Sequence, residues 1–184
     1  MKKILDENYF KKTTEKLAIE KITVEEYKSY FLQLKKAITN EQLKNPIVYV
    51  NALVCATVSP IKNDFDHEMY ITISSELDDL ITYLAQKEIK NINLDEYYNK
   101  IKNILNLQTV PSKEFLDYCK LLTLAYLAKV DTVNLKEWAK IMIEAKVTTE
   151  TYDETRKVHL EKQKLNMLLQ HFERMGSYKK EYKK

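Results

Sequence analysis

The sequence predicts an all-α fold: a compact bundle of about eight helices with a long C-terminal helix and one irregular loop or short extended segment near residues 59–73. Three observations carry this. A chain of 184 residues contains a single glycine, Gly176, so the Asn-Gly and Asp-Gly turns favoured by tight β-hairpins are missing. Apolar side chains recur at helical spacing along nearly the whole length. Three segments also open on one helix-start signal, Ile22-Thr23-Val24-Glu25-Glu26-Tyr27, Ile92-Asn93-Leu94-Asp95-Glu96-Tyr97 and Val133-Asn134-Leu135-Lys136-Glu137-Trp138. In each, Thr or Asn stands at the N-cap and a glutamate three residues later reaches back. An apolar residue before the cap and an aromatic four residues after it form a hydrophobic staple.

Taken in order, helices are expected over about 7–19, beginning after Leu5-Asp6, and over 24–38, with Tyr27, Tyr30, Phe31 and Leu34 on one face. A short helix is expected at 41–44. Asn45 and Pro46 then open a third main helix to about Val58, apolar nearly all round and therefore expected to be central and buried. Pro60, Asp64 and Asp66 mark a loop, and His67 to Ile73 alternates as an extended segment does. Helices resume over about 75–89, 94–105, 112–128 and 135–145, with Leu121, Leu122, Leu124 and Leu127 marking the 112–128 helix as a second core element. The last helix runs from about Thr149 to Met175, with Gly176 at the position past its end. Within it Val158, Leu165 and Phe172 fall seven apart, with Leu168 and Met175 offset by three, a short seam interrupted by Glu161. The helix-start motifs lie 70 and 41 residues apart, which no solenoid period fits.

The expected organisation is one helical domain over 1–176, with lobes 1–58 and 75–176 joined by 59–74, and a flexible basic tail at 177–184. The 45% hydrophobic content suits a globular core. No stretch approaches the roughly 18 apolar residues of a membrane span, and Asp6 and Glu7 interrupt the basic start before a signal-peptide core develops. Cys55 and Cys119 each sit in an apolar run and read as reduced thiols. A cytoplasmic protein is expected, with no membrane partner.

Glycine scarcity also bears on function. A P-loop, a dinucleotide-binding G-x-G-x-x-G and a nucleophile elbow all need glycine. No enzyme is therefore expected, and no cofactor. Asn63-Asp64-Phe65-Asp66-His67-Glu68 resembles the first half of a calcium loop but lacks its glycine, and Ser75 stands where the bidentate glutamate belongs. His159 and His171 are twelve residues apart on one helix and would not share a zinc ion. Charge is polarised: residues 1–149 are neutral, whereas from Glu150 onward nine Lys/Arg face six Asp/Glu. The end Ser177-Tyr178-Lys179-Lys180-Glu181-Tyr182-Lys183-Lys184 interleaves tyrosine with lysine, which suits stacking on bases and pairing with phosphates.

The leading expectation is a non-enzymatic protein–protein interaction protein, an adaptor or inhibitor acting on a larger nucleoprotein machine, encoded by a phage or mobile element. It rests on the missing enzyme motifs, the small size, the C-terminal seam and the 13 tyrosines, a residue type enriched at protein contacts. The alternative is a nucleic-acid-binding accessory protein of a replication or CRISPR system, using the basic C-terminal helix and tail. The third reading is a metal-dependent enzyme built on Asp64, Asp66, His67 and Glu68. The candidate interaction residues are Asp64, Asp66, Arg156, Lys157, Lys164, Arg174, Tyr178, Lys179, Lys180 and Tyr182.

Overall fold

A computed structural model describes residues 6–130 and 134–181, with side chains as far as Phe172. The fold is all-α. Its elements are α1 (Glu7–Ile19), α2 (Val24–Thr39), α3 (Pro46–Val54), α4 (Asp64–Ile89), α5 (Leu94–Leu107), β1 (Val110–Pro111), α6 (Ser112–Leu127), α7 (Leu135–Glu144), β2 (Val147–Thr148) and α8 (Tyr152–Glu181). The chain divides into two compact units, Met1–Lys87 and Glu88–Lys184.

The helix starts fall where the capping signals place them. Thr23 forms the full reciprocal box, its hydroxyl accepting from the Glu26 amide (3.2 Å) while the Glu26 carboxylate accepts from the Thr23 amide (3.0 Å). Asn93 and Asn134 make the forward half, accepting from the amides of Glu96 and Glu137. Asp6 does the same for Tyr9. Leu5 and Val133 lie outside the described residues.

The expected helix at 41–44 does not form. Instead α2 closes through a left-handed residue, Glu41 (φ 54°), with Gln42 donating to the Ala37 carbonyl and Glu41 to that of Ile38. This is the Schellman arrangement, normally served by glycine. It recurs after α6, where Lys129 (φ 55°) donates to Tyr126 and Val130 to Ala125. A chain almost without glycine thus places side chains in a region where the Cβ clashes at a cost of about 1 kcal/mol. Glu41→Gly and Lys129→Gly are each expected to stabilise by about 0.5–1 kcal/mol, even though glycine frees the unfolded chain. Urea unfolding midpoints check this.

In the first unit α1 packs on α3, and α3 on α2, around Phe10, Leu17, Tyr27, Phe31, Leu34, Val50 and Leu53. The bundle is laced by Ile22, whose amide donates to the Thr57 carbonyl (3.0 Å) and whose carbonyl accepts from Ser59 (2.9 Å). α3 is not buried all round as its composition suggests. Its nine residues offer one face to α1 and α2, and Val48 and Val54 remain 48% and 45% exposed.

The largest departure concerns residues 59–73. Irregular backbone occupies 55–63, and from Asp64 the chain is helical without interruption to Ile89. Met69, Ile71 and Ile73 alternate in sequence, but only Ile73 is buried, whereas Ile71 is 52% exposed. The buried set is Ile73, Leu77, Ile81, Leu84 and Ala85, a period of three to four that a helix satisfies and a strand does not.

In the second unit α6 supplies the centre, with Phe115, Cys119, Leu122 and Ala125 almost wholly buried. α7 packs on α5, α6 and α8, and α8 also lies on α6. β1 and β2 form a two-residue parallel pair, Val110 facing Val147 and Pro111 facing Thr148. The C-terminal seam docks within the chain: Val158 and Leu165 are buried, and Phe172 meets Tyr126 edge-to-face at 5.7 Å. The backbone of α8 passes through Gly176 to Glu181, so Gly176 does not end the helix. The glycine count predicts a stop there, yet one helical glycine costs only about 1 kcal/mol. Among the described residues no helix is long and apolar enough to cross a membrane.

Candidate functional site

The acidic motif at 64–68 is the N-terminal turn of α4. Asn63 is its N-cap, its side-chain oxygen accepting from the Asp66 amide at 2.8 Å. Asp66 is 7% exposed and its carboxylate accepts from the Lys62 amide at 3.3 Å. Both it and the exposed Asp64 lie in the first turn, where the helix dipole favours negative charge. Glu68 is exposed on the next turn. The helix therefore turns Asp66 inward as part of the cap and Asp64 outward. Among the described residues no group of three or more His, Cys, Asp or Glu could hold a metal ion.

The basic candidates on α8 are distributed differently from the reading by charge alone. Arg156, Lys157 and Lys164 are all exposed, but Lys157 pairs with Asp153 at 2.6 Å and Lys164 with Glu161 at 2.5 Å. These pairs between side chains three and four apart hold two of the three cations against their own helix. Glu161, the interruption of the buried seam, is thereby accounted for as a surface partner. Arg174, Tyr178, Lys179 and Lys180 lie on the last turns of α8, with side chains outside the described residues. Tyr182 lies outside them altogether.

The outward side of α8 carries a second stripe. Arg156, Leu160, Gln163, Met167 and Gln170 follow one another at intervals of four and three, all exposed. Leu160 is 43% and Met167 71% exposed, on the side opposite the buried Val158 and Leu165.

A further face is formed by α4, whose sequence reads as a loop and a helix but folds as one helix. As one helix, residues 64–89 carry seven carboxylates against one lysine, in a chain whose net charge is +3. Phe65, Glu68, Thr72, Glu76, Asp79 and Tyr83 are spaced by three and four and are all exposed. The two aromatics are 68% and 60% exposed. Glu76 meets Lys35 of α2 in a surface ion pair at 2.6 Å, and behind the stripe Tyr27 packs against Tyr70 and reaches Ser74. A charge count over 64–89 as a single element is the signal that finds this face.

No family model, curated protein or solved structure matches the chain.

In the second unit burial displaces several titrations. Burial, seconded by the Glu161 carboxylate, pushes the Cys119 thiol from the ordinary 9.0 up to about 12. Burial, with a hydrogen bond to Glu114, also raises the Tyr118 hydroxyl. The Lys162 ammonium donates to the Ala145 carbonyl at 2.7 Å, near the Phe115 ring, and burial lowers its pKa. Cys55, by contrast, is exposed.

Cys119 gives a prediction with a definite sign. A thiol held protonated in the folded chain contributes stability that is complete below the unfolded value near 9. That contribution is lost as pH rises toward about 12. Melting temperature is expected to fall from pH 9 upward, and the slope to flatten in Cys119→Ala. An aromatic disulfide reagent at pH 8 should titrate one thiol rapidly, Cys55, and the second only in denaturant. Two thiols reacting at one rate in the folded protein would refute the buried placement.

Proposed function

We propose that this chain is a non-enzymatic, cytoplasmic protein–protein interaction protein, an adaptor or inhibitor acting on a larger nucleoprotein machine and encoded by a phage or mobile element. The observation that carries the reading is the outward stripe of α8. This helix satisfies its own unit with Val158, Leu165 and Phe172, yet presents Leu160 and Met167 one heptad apart on the opposite side. Exposed apolar residues at that period, flanked by Arg156 and Lys164, suit knobs on a partner's helix. A helix needed only for packing gains nothing from a second apolar seam in water.

Nucleic-acid binding by the same helix is the weaker reading, because Asp153 and Glu161 neutralise Lys157 and Lys164 locally. Affinity for DNA or RNA that falls steeply with salt, and falls again on removal of residues 177–184, would favour it instead.

The test uses the full chain as bait against a cell extract. A specific component of a replication, recombination or defence complex should be retained, and Leu160→Glu with Met167→Glu should release it while circular dichroism stays unchanged. Both side chains are surface ones, so folding should tolerate the change. Equal retention by the double variant would remove the support that α8 gives.

A further inference from the structure

We infer that the outward face of α4 is a docking surface for a lysine- and arginine-rich amphipathic helix of a protein partner. The inference deepens the interaction reading and rests on it, but uses a separate face. Phe65, Glu68, Thr72, Glu76, Asp79 and Tyr83 form one straight row on a 26-residue helix. From first to last the row spans 18 residues, roughly 27 Å at 1.5 Å per residue. Its ends are aromatic and exposed, 68% at Phe65 and 60% at Tyr83. Its middle is acidic and exposed at Glu68, Glu76 and Asp79.

The two features point to one occupant. Large aromatic side chains left in water are the anchors that protein partners cover. Carboxylates between them repel nucleic acid and anionic lipid, and they select a cationic counterpart by charge complementarity. The spacing of three and four residues matches the ridge of another helix, not an extended strand. The complementary segment is therefore helical, about five turns long, with apolar residues at its two ends and Lys or Arg between. Among the described residues Lys35 is the cation paired to the row, and that contact is an exposed one at Glu76. Such pairs contribute little and exchange readily for a better-placed partner.

The test uses the whole chain and a labelled synthetic peptide of 20 residues, with Leu at its two ends and Lys and Arg between at helical spacing. A peptide of the same composition in scrambled order is the control. Fluorescence anisotropy is expected to give binding at least about fivefold tighter than the scrambled peptide, weakening by about tenfold as salt rises through the Debye range. Backbone amide shifts should concentrate in residues 64–83. Phe65→Ala with Tyr83→Ala should weaken binding about fivefold or more, and Glu68→Lys with Asp79→Lys should abolish it. Equal affinity for the scrambled peptide, shifts centred on 152–172, or binding retained by the charge-reversed variant would each overturn the assignment. So would salt-sensitive self-association of the protein alone that Phe65→Ala with Tyr83→Ala removes, since the occupant would then be a second copy. Failure here with release of the bait's partner by Leu160→Glu and Met167→Glu intact would sink the α4 inference and leave the interaction function standing.

Discussion

Trp138→Ala is expected to cost about 3–5 kcal/mol, enough to leave the second unit marginal. Trp138 is the sole tryptophan and is fully buried in α7, its ring 5.8 Å from that of Tyr98. Truncation to a methyl group empties the largest wholly buried side-chain volume in the chain, and close-packed helices collapse only partly into such a space. The companion substitution separates volume from polarity. The indole Nε1 has no hydrogen-bond partner among the described residues, so Trp138→Phe forfeits none of the bonds described and removes an orphaned donor that itself costs about 1–3 kcal/mol. The smaller ring leaves a modest void, and the net loss should stay within about 1.5 kcal/mol. Urea unfolding followed by far-ultraviolet circular dichroism measures both. A phenylalanine variant as damaged as the alanine one would mean that Nε1 is bonded after all.

How much of this was legible in the sequence differs from residue to residue, and the reasons are physical. Helix starts were legible because capping is local: Thr23, Asn93 and Asn134 each act on an amide three residues away, so the signal lies within four letters. The long-range pairing of β1 with β2 was not, because two residues at 110–111 and two at 147–148 carry no periodicity of their own. Helix ends carry no comparable letter in this chain. Glu41 and Lys129 do the work of glycine, while the one real glycine lies inside α8. The candidate site suffered from the same short reach. Counting lysines from Glu150 onward located the α8 face but not the ion pairs with Asp153 and Glu161, which need the helix register to be seen. A break at Ile73 places Phe65 and Glu68 in one element and Glu76, Asp79 and Tyr83 in another, and the row they form exists only in a continuous helix.

Ile71→Pro decides that last point. Were residues 67–73 an extended surface segment, as their alternation suggests, proline at an exposed position would be tolerated, since its fixed φ suits extended backbone. In α4 the same substitution deletes the hydrogen bond from residue 71 to the His67 carbonyl and drives the ring against that carbonyl, a cost of about 3 kcal/mol or more. Ile71 is 52% exposed, so the matching Ile71→Ala variant should change stability by no more than about 0.5 kcal/mol. The difference between the two then reports backbone alone. A lower urea midpoint and reduced ellipticity at the helical minimum are expected for proline and not for alanine. The outcome reaches beyond the fold, because only an unbroken helix sets Phe65 and Tyr83 on one face with three carboxylates between them. A proline variant that keeps its helicity and its midpoint would return Phe65 and Glu68 to a loop and dissolve the docking row, whereas the expected loss ties that row to the continuity of α4.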